Sequence, residues 1–266
     1  MTATGSRFLR ITLRLLWLAG ELTRGALHYV MLRVAAGGPV DFPTRARWLQ
    51  VVCRRTLRVF AVQLNVRGRV PRRGLLVSNH LGYLDILVLA AITPCLFVAK
   101  AEVRRWPVVG GLARFSGTVF VHRGRRTDTG QAVQGIEKLL RAGVLVVLFP
   151  EGTSTGGEMI LPFRSSLLEP AVRTLQPVTT AFLRYSLEDG DAAEEVCYWK
   201  DMNLATHLVN LLGKRGVDAS VMLRRARGSS DRKRLARRLH AQVLRSHHAC
   251  ADEHLLPGMA AVDSPG

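Results

Sequence analysis

Between residues 62 and 246 the chain alternates short apolar runs with longer segments of helical periodicity. Such runs are typical of buried strands, and their alternation with helices predicts an α/β layer fold with a mixed, largely parallel sheet flanked by helices. The predicted strands cover residues 62–67, 74–78, 95–99, 117–121, 143–149, 177–184 and 218–223. The predicted helices cover residues 84–92, 107–115, 129–141, 165–175, 203–213 and 231–246.

Two further helices are predicted ahead of this alternation, over residues 8–34 and 43–60. The first is long and apolar, but a helix that spans a bilayer needs about 20 mostly uncharged residues. Charged residues interrupt this one at Arg10, Arg14, Glu21, Arg24 and Arg33. We therefore expect an amphipathic helix in the membrane interface with arginines reaching the headgroups, or alternatively a surface helix packed on the protein's own core.

The composition narrows the class of partner. The net charge is +18, which favours an anionic partner such as nucleic acid, an acidic membrane surface or a phosphorylated substrate. Aromatic residues make up only 6% of the chain and no stacking residues interleave the basic ones, so we expect no nucleic-acid partner, although charge alone keeps that class as an alternative. The four cysteines show no CxxC pair or zinc spacing, so we expect reduced thiols and no metal.

One candidate catalytic pair follows a predicted strand directly. His80 comes after that strand, and Asp85 follows five residues later. The two side chains would diverge on a regular helix, but they can meet if His80 lies in a turn, bent at Gly82, and Asp85 lies in the first helical turn. Asp85 would then accept the Nδ1–H of His80 and leave Nε2 free to take a proton. The alternative is that Asp85 is an early helix residue favoured by the helix dipole.

The chain contains no nucleophile elbow of the GxSxG type. We therefore expect His80 to activate a substrate hydroxyl directly rather than a protein nucleophile.

Three other strand ends carry polar or charged residues. Glu151, Gly152 and Thr153 follow one apolar strand, Lys100 ends a second, and Arg123 ends a third. Gly152 permits an unusual backbone angle, so amides there could hold an anion or an oxyanion. Glu151 needs a partner, either a cation or a substrate hydroxyl; a salt bridge to an arginine is the alternative. A guanidinium offers phosphate a planar fork, so these ends together predict a pocket for an anionic substrate.

Four ordered blocks carry a family resemblance. They are Asn79–Asp85 (Asn-His-x4-Asp), Gly117–Arg123, Phe149–Thr153 (Phe-Pro-Glu-Gly-Thr) and Gln176–Thr179. In these blocks, from about residue 43 to 245, the chain resembles the lysophospholipid acyltransferase family, of the 1-acyl-glycerol-3-phosphate acyltransferase type. The resemblance implies a membrane-associating two-helix element over residues 1–60 and a single acyltransferase domain over 61–247. The sequence pattern is lost near the end of the chain, so we expect a loose tail over 248–266.

The resemblance also implies a reaction. His80 and Asp85 would deprotonate the free hydroxyl of a lysophospholipid, whose oxygen attacks an acyl thioester of coenzyme A or acyl carrier protein; no other cofactor is implied. Binding of the acceptor would fall to Arg123, Gly152, Thr153 and Lys100 with Asn79, and Glu151 would position it. The implied location is the cytoplasmic face of a membrane, on an anionic lipid surface.

One departure from the family pattern concerns the acceptor. Many members carry arginine after Glu-Gly-Thr, where this chain has Ser154, so we expect that one phosphate contact is either missing or supplied by Lys100 or Arg164. The expected acceptor is 1-acyl-glycerol-3-phosphate, which gives phosphatidic acid, and a phosphate-free lyso-ornithine lipid is the alternative. A membrane adaptor with an inactive acyltransferase fold, and a hydrolase that uses water as acceptor, are further alternatives.

Overall fold

A seven-stranded sheet organises the molecule, which a computed structural model describes over residues 3–106, 109–121 and 126–255. The strands are β1 (Val62–Arg67), β2 (Gly74–Ser78), β3 (Cys95–Lys100), β4 (Val119–Val121), β5 (Leu145–Leu148), β6 (Val178–Ser186) and β7 (Val217–Ala226). The helices are α1 (Ala3–Ala35), α2 (Phe42–Val59), α3 (Leu84–Ile92), α4 (Val109–Ser116), α5 (Arg126–Arg141), α6 (Glu169–Arg173), α7 (Ala192–Glu195), α8 (Leu204–Gly213) and α9 (Arg232–Leu255). Short 3₁₀ helices cover Ala101–Arg105 and Ser166–Leu168.

The strand order is β1-β7-β6-β2-β5-β3-β4, and every neighbouring pair is parallel except β6–β7. The predicted mixed, largely parallel sheet is therefore confirmed. Because β2, β5, β3 and β4 run in one direction, their carboxyl ends meet at one edge of the sheet, where open α/β sheets build ligand sites.

The central strands are buried on both faces, which explains their uninterrupted apolar sequence. Leu76 and Val147 point to one face, into a core shared with α2 and α3. Leu75 and Val146 point to the other face, into a core shared with α5 and α9. Successive side chains of each strand thus anchor opposite helical layers and hold the carboxyl edge of the sheet rigid.

Of the two N-terminal helices, α2 belongs to the core. Asp41 caps it by accepting a hydrogen bond from the Thr44 N–H, and the side chain of Trp48 is 1% exposed. The indole of Trp48 donates to the carbonyl of Gly25 at 2.9 Å and ties α2 to α1. Of this predicted membrane pair, α1 is the helix that presents a long apolar surface to solvent. Its exposed large apolar side chains are Phe8, Leu9, Leu13, Leu15, Leu16, Trp17, Leu27, Val30, Met31 and Val34.

Two arginines of α1 turn towards the protein. Arg10 donates to the carbonyl of Gly213 at 2.9 Å, and Arg14 donates to that of Leu212 at 3.0 Å, at the end of α8. The last carbonyls of a helix lack partners within it, so these guanidinium groups satisfy them. The prediction that the arginines of this helix reach lipid headgroups is therefore wrong for Arg10 and Arg14. Across the part of the chain that the structure describes, no helix is both long and apolar enough to cross a bilayer.

Two predicted boundaries also differ. The tail predicted from residue 248 begins as helix, since α9 continues to Leu255; its end is fastened to the sheet because Arg184 donates to the carbonyl of Cys250 at 3.0 Å. The rest of that predicted tail lies outside the described residues. The helix predicted over residues 165–175 is a 3₁₀ turn followed by the short helix α6.

Candidate functional site

The site begins at the turn between β2 and α3. Gly82 has a φ of +155°, and a Cβ on it would lie 2.7 Å from the backbone nitrogen of Tyr198. That nitrogen donates to the carbonyl of Leu81 at 2.8 Å. A side chain at residue 82 would push this segment away, so glycine is needed for the close approach.

This turn brings His80 and Asp85 together. Nδ1 of His80 lies 2.7 Å from Oδ2 of Asp85, and the Asp85 side chain is fully buried. The same oxygen accepts the backbone N–H groups of Leu81 at 2.6 Å and of Gly82 at 3.0 Å. Because an ionised carboxylate only accepts hydrogen bonds, Nδ1 of His80 carries the proton and Nε2 is left with a lone pair. The imidazole is 23% exposed, so Nε2 is within reach of a substrate.

Tyr185 on β6 completes the surroundings of the carboxylate. Its phenol donates to Oδ1 of Asp85 at 2.7 Å, across 100 residues of sequence. Burial and the neighbouring carboxylate raise the pKa of Tyr185 well above its ordinary value, so it stays a neutral donor. Sequence reasoning missed this residue. The signal available was a tyrosine near the end of an apolar strand, since a buried phenol needs a partner.

Asn79 is 1% exposed, and both the oxygen and the nitrogen of its amide bond the main chain of β6. It accepts the N–H of Leu183 at 2.8 Å and donates to the carbonyl of Leu183 at 3.0 Å. Asn79 is not among the residues that line the cavity beside the imidazole of His80. The two hydrogen bonds to Leu183 hold β6 against the end of β2, and a contact of Asn79 with a substrate stays a prediction.

Glu151 is also part of the framework. It is 3% exposed, and its two oxygens accept the N–H groups of His80 at 2.9 Å and of Leu161 at 2.8 Å. Burial outweighs these two donors and raises the pKa of Glu151 to about 7. In the structure Glu151 is therefore bonded to backbone N–H groups, and not to the arginine or other cation that the sequence suggested. It connects the turn after β5 to the turn after β2.

A cavity of about 780 Å³ opens beside the imidazole at the carboxyl edge of the sheet. One part of its wall is apolar, formed by Ile86, Phe97, Val98, Val103, Trp106, Val109, Val121, Leu148 and Phe149. Another part is polar and charged, formed by Lys100, Arg164, Lys200 and Asp201 among others. A site with these two halves suits a ligand with a hydrocarbon portion and a charged portion.

The predicted binding residues fall at different places. Lys100, Gly152 and Thr153 line the cavity, whereas Arg123 lies outside the described residues. Gly152 has a φ of +78°, as its predicted role in the turn requires, but its N–H donates to the carbonyl of Phe149 at 3.2 Å. That amide is therefore engaged within the turn.

The cavity wall also contains Lys200. Lys200 has a φ of +52°, which favours glycine, and its ammonium lies 3.6 Å from the ring centroid of Trp199. Glu194 is a further partner, at 3.8 Å. Strained backbone of this kind concentrates at functional sites, and it brings Lys200 and Asp201 to the cavity wall together.

Known proteins share this sequence pattern and fold. A model of the family described as Acyltransferase matches residues 63–184, which include His80, Asp85 and Glu151. A lyso-ornithine lipid O-acyltransferase of Pseudomonas aeruginosa is 35% identical over 219 residues, 78% of this chain and 81% of that protein. One of the same name from Rhodobacter capsulatus is 39% identical over 170 residues, but the chain spans only 60% of its length.

The chain is also similar to proteins named as acyltransferases of 1-acyl-glycerol-phosphate. A 1-acyl-sn-glycerol-3-phosphate acyltransferase of Neisseria gonorrhoeae is 32% identical over 151 residues, 57% of this chain and 59% of that protein. The crystal structure of the 1-acyl-sn-glycerophosphate acyltransferase PlsC from Thermotoga maritima superposes with a TM-score of 0.63, covering 92% of this chain and 98% of that one. At 20% identity, that likeness concerns the fold.

Proposed function

Because the chain belongs to the acyltransferase family, we propose that it moves an acyl group from a thioester to the free hydroxyl of a lyso-lipid at a membrane surface. The observation that carries this proposal is the His80–Asp85 pair, 2.7 Å apart, at the wall of a cavity that is part apolar and part basic. A histidine in this arrangement is a general base for an alcohol.

The geometry supports a direct transfer. Asp85 orients the imidazole and stabilises its protonated form, and Nε2 of His80 takes the proton of the acceptor hydroxyl. The acceptor oxygen attacks the thioester carbonyl, forming a C–O bond and a tetrahedral oxyanion. The oxyanion collapses, the C–S bond breaks, and the thiolate leaves with the proton that His80 returns.

The donor is proposed to be acyl-coenzyme A or acyl carrier protein, whose thioester is a co-substrate, and no metal is assigned a role. The apolar wall suits a fatty acyl chain.

The charged wall bears on the acceptor. Lys100, Arg164 and Lys200 suit an anionic headgroup, which supports 1-acyl-glycerol-3-phosphate as acceptor and phosphatidic acid as product. Since Ser154 stands where many relatives carry arginine, Lys100 and Arg164 are the proposed phosphate contacts on the described wall.

Asp201 favours a second acceptor. Among the described residues that line the cavity, Asp201 is the acidic one. A phosphomonoester gains nothing from a carboxylate there, whereas a lyso-ornithine lipid carries an amine together with its carboxylate. The relatives named lyso-ornithine lipid O-acyltransferases point to the same alternative.

Membrane attachment is proposed to depend on α1. Its exposed apolar side chains form a surface that a lipid interface would cover, and the net charge of +18 favours anionic lipid. The proposed location is the cytoplasmic face, without a spanning segment and without a nucleic-acid partner.

The test is an acyl-transfer assay in vesicles that offers each lyso-lipid with each thioester donor and identifies products by mass spectrometry. His80→Ala should lower the rate by about 10² to 10⁴ while the protein stays folded. The control is His248→Ala, an exposed position on α9, which should keep the full rate. Turnover that survives His80→Ala would contradict the proposed function.

The two acceptors are separated by Asp201→Asn. If the ornithine headgroup is bound there, this variant should raise the KM for lyso-ornithine lipid and leave or lower the KM for 1-acyl-glycerol-3-phosphate. Equal effects on both acceptors would remove the argument for the zwitterionic headgroup.

A further inference from the structure

A buried chain of contacts behind the cavity leads from the sheet to the reacting histidine. Asp85 is fully buried and accepts four hydrogen bonds. Three of them reach Oδ2, from His80 and from the backbone of Leu81 and Gly82. The fourth reaches Oδ1, from the phenol of Tyr185 at 2.7 Å. Among the described residues, Tyr185 is thus the one that donates a hydrogen bond to Oδ1 of Asp85.

The position of Tyr185 depends on Asn79. β2 and β6 pair up to Ser78 and Ala181, and β6 then continues beyond the end of β2. Asn79 extends the pairing, because its amide bonds both the N–H and the C=O of Leu183. Two residues further on, Tyr185 points its hydroxyl at Asp85. The side chain of Asn79 therefore takes the place of the main chain of β2 beyond the end of that strand. It thereby fixes where the phenol of Tyr185 lies.

We propose that Tyr185, held through Asn79, is a positioning residue that sets how strongly Asp85 holds the proton on His80. A donor on Oδ1 draws charge away from Oδ2 and keeps the carboxylate from rotating. Without that hydroxyl, Asp85 would stabilise the protonated imidazole more strongly, so His80 would release its proton at higher pH. The consequence for the rate rests on the proposed function, whereas the effect on the imidazole does not.

Other titratable groups face this pair and have to be separated from Tyr185. Glu151 approaches from the turn after β5, Tyr83 from the start of α3, and Cys197 from the segment after α7. Burial raises the pKa of Glu151 to about 7, so the pH dependence of the rate alone would not identify the group that titrates. The measurement must therefore observe the ring of His80 directly.

The experiment is a pH titration of ¹⁵N-histidine-labelled protein by NMR, with the His80 signals assigned by their loss in His80→Ala. In Tyr185→Phe we expect the transition of the His80 ring to move to higher pH. The value of kcat/KM should fall roughly 10- to 100-fold through kcat, because the Asp85 carboxylate is then free to rotate and no longer holds the imidazole in its reactive orientation. KM should change little, because Tyr185 is not among the residues that line the cavity.

The control is Ser246→Ala, which deletes a buried hydroxyl bonded to the carbonyl of Gln242 on α9. It should leave the His80 transition in place. If Tyr185→Phe does not fold, 3-fluorotyrosine at residue 185 keeps the hydroxyl but makes it a stronger donor, and the transition should move to lower pH. An unmoved transition in either variant overturns the proposal. Activity that survives His80→Ala would instead overturn the proposed function, and the titration would still report on Tyr185.

Discussion

The ring of Phe149 stacks on the imidazole of His80, with centroids 4.1 Å apart and planes inclined by 20°. Phe149 comes directly after β5 and His80 two residues after β2, so this contact joins the ends of two adjacent parallel strands. Phe97, on β3, continues the stack, with its centroid 6.3 Å from that of Phe149. The imidazole is therefore fixed by a carboxylate at its edge and by an aromatic ring on its face.

Phe149→Leu should lower kcat by roughly 2- to 10-fold, because it keeps an apolar side chain but removes the stacked face. The free energy of unfolding should fall by less than about 1.5 kcal/mol. Steady-state kinetics and chemical denaturation measure the two effects. Phe97→Leu is the comparison, since its ring is one step further along the stack and should affect kcat less. An equal fall in both variants would contradict a specific role for the stack.

Gly82→Ala should destabilise the protein by about 2 kcal/mol or more. The new Cβ would lie 2.7 Å from the backbone nitrogen of Tyr198 and disturb its bond to Leu81. Thermal unfolding measures the loss. Gly20→Ala in α1 is the matched control, because nothing lies within 4 Å of its Cβ position. That change should stabilise the helix by about 0.5–1 kcal/mol, and similar behaviour of the two variants would refute the packing argument.

Leu16→Glu should weaken adsorption to anionic vesicles about 10- to 100-fold, because the side chain is 68% exposed on the apolar surface of α1. The melting temperature should not change. Co-sedimentation with vesicles and calorimetry measure the two properties. Unchanged adsorption would exclude this surface as the lipid contact.

Arg14→Gln should have the opposite effects to Leu16→Glu, with a loss of stability and little change in vesicle adsorption. The guanidinium binds carbonyls at the end of α8, so its loss should cost about 1 kcal/mol of stability and leave vesicle adsorption nearly intact. The same two measurements apply. If adsorption falls and stability does not, Arg14 reaches lipid after all.

Glu151 should make stability depend on pH in a specific window. Burial raises its pKa to about 7 from an ordinary value of 4.5. The folded state therefore binds this proton more tightly than the unfolded state, so the stabilising contribution of the neutral carboxyl is complete below pH 4.5 and is lost as the pH rises to about 7. Glu151→Gln does not titrate. The free energy of unfolding of the wild-type protein minus that of the variant should therefore fall across this window, by at most about 3 kcal/mol. A flat difference in denaturation experiments would show that Glu151 ionises normally.

Local patterns in the sequence predicted most of the architecture. Apolar runs such as residues 75–77 and 145–148 are strands because both their faces are buried, and burial on two faces leaves a continuous apolar signature. The spacing of His80, Gly82 and Asp85 likewise predicted the turn, because a local bend of the backbone is enough to bring together two side chains five residues apart. The family blocks pointed to the same two strand ends.

Contacts between distant segments required the tertiary structure. Tyr185 meets Asp85 because β6 lies beside β2, and Arg14 meets the end of α8 across 198 residues. Asn79 and Glu151 were predicted at the site, yet the folded chain uses both to fasten the main chain around it. Periodicity records whether a residue is buried, whereas strand order decides which buried partner it meets. The sequence by itself thus determined the layers and the turn that joins His80 to Asp85, and only the folding of distant strands against one another decided what holds that turn in place.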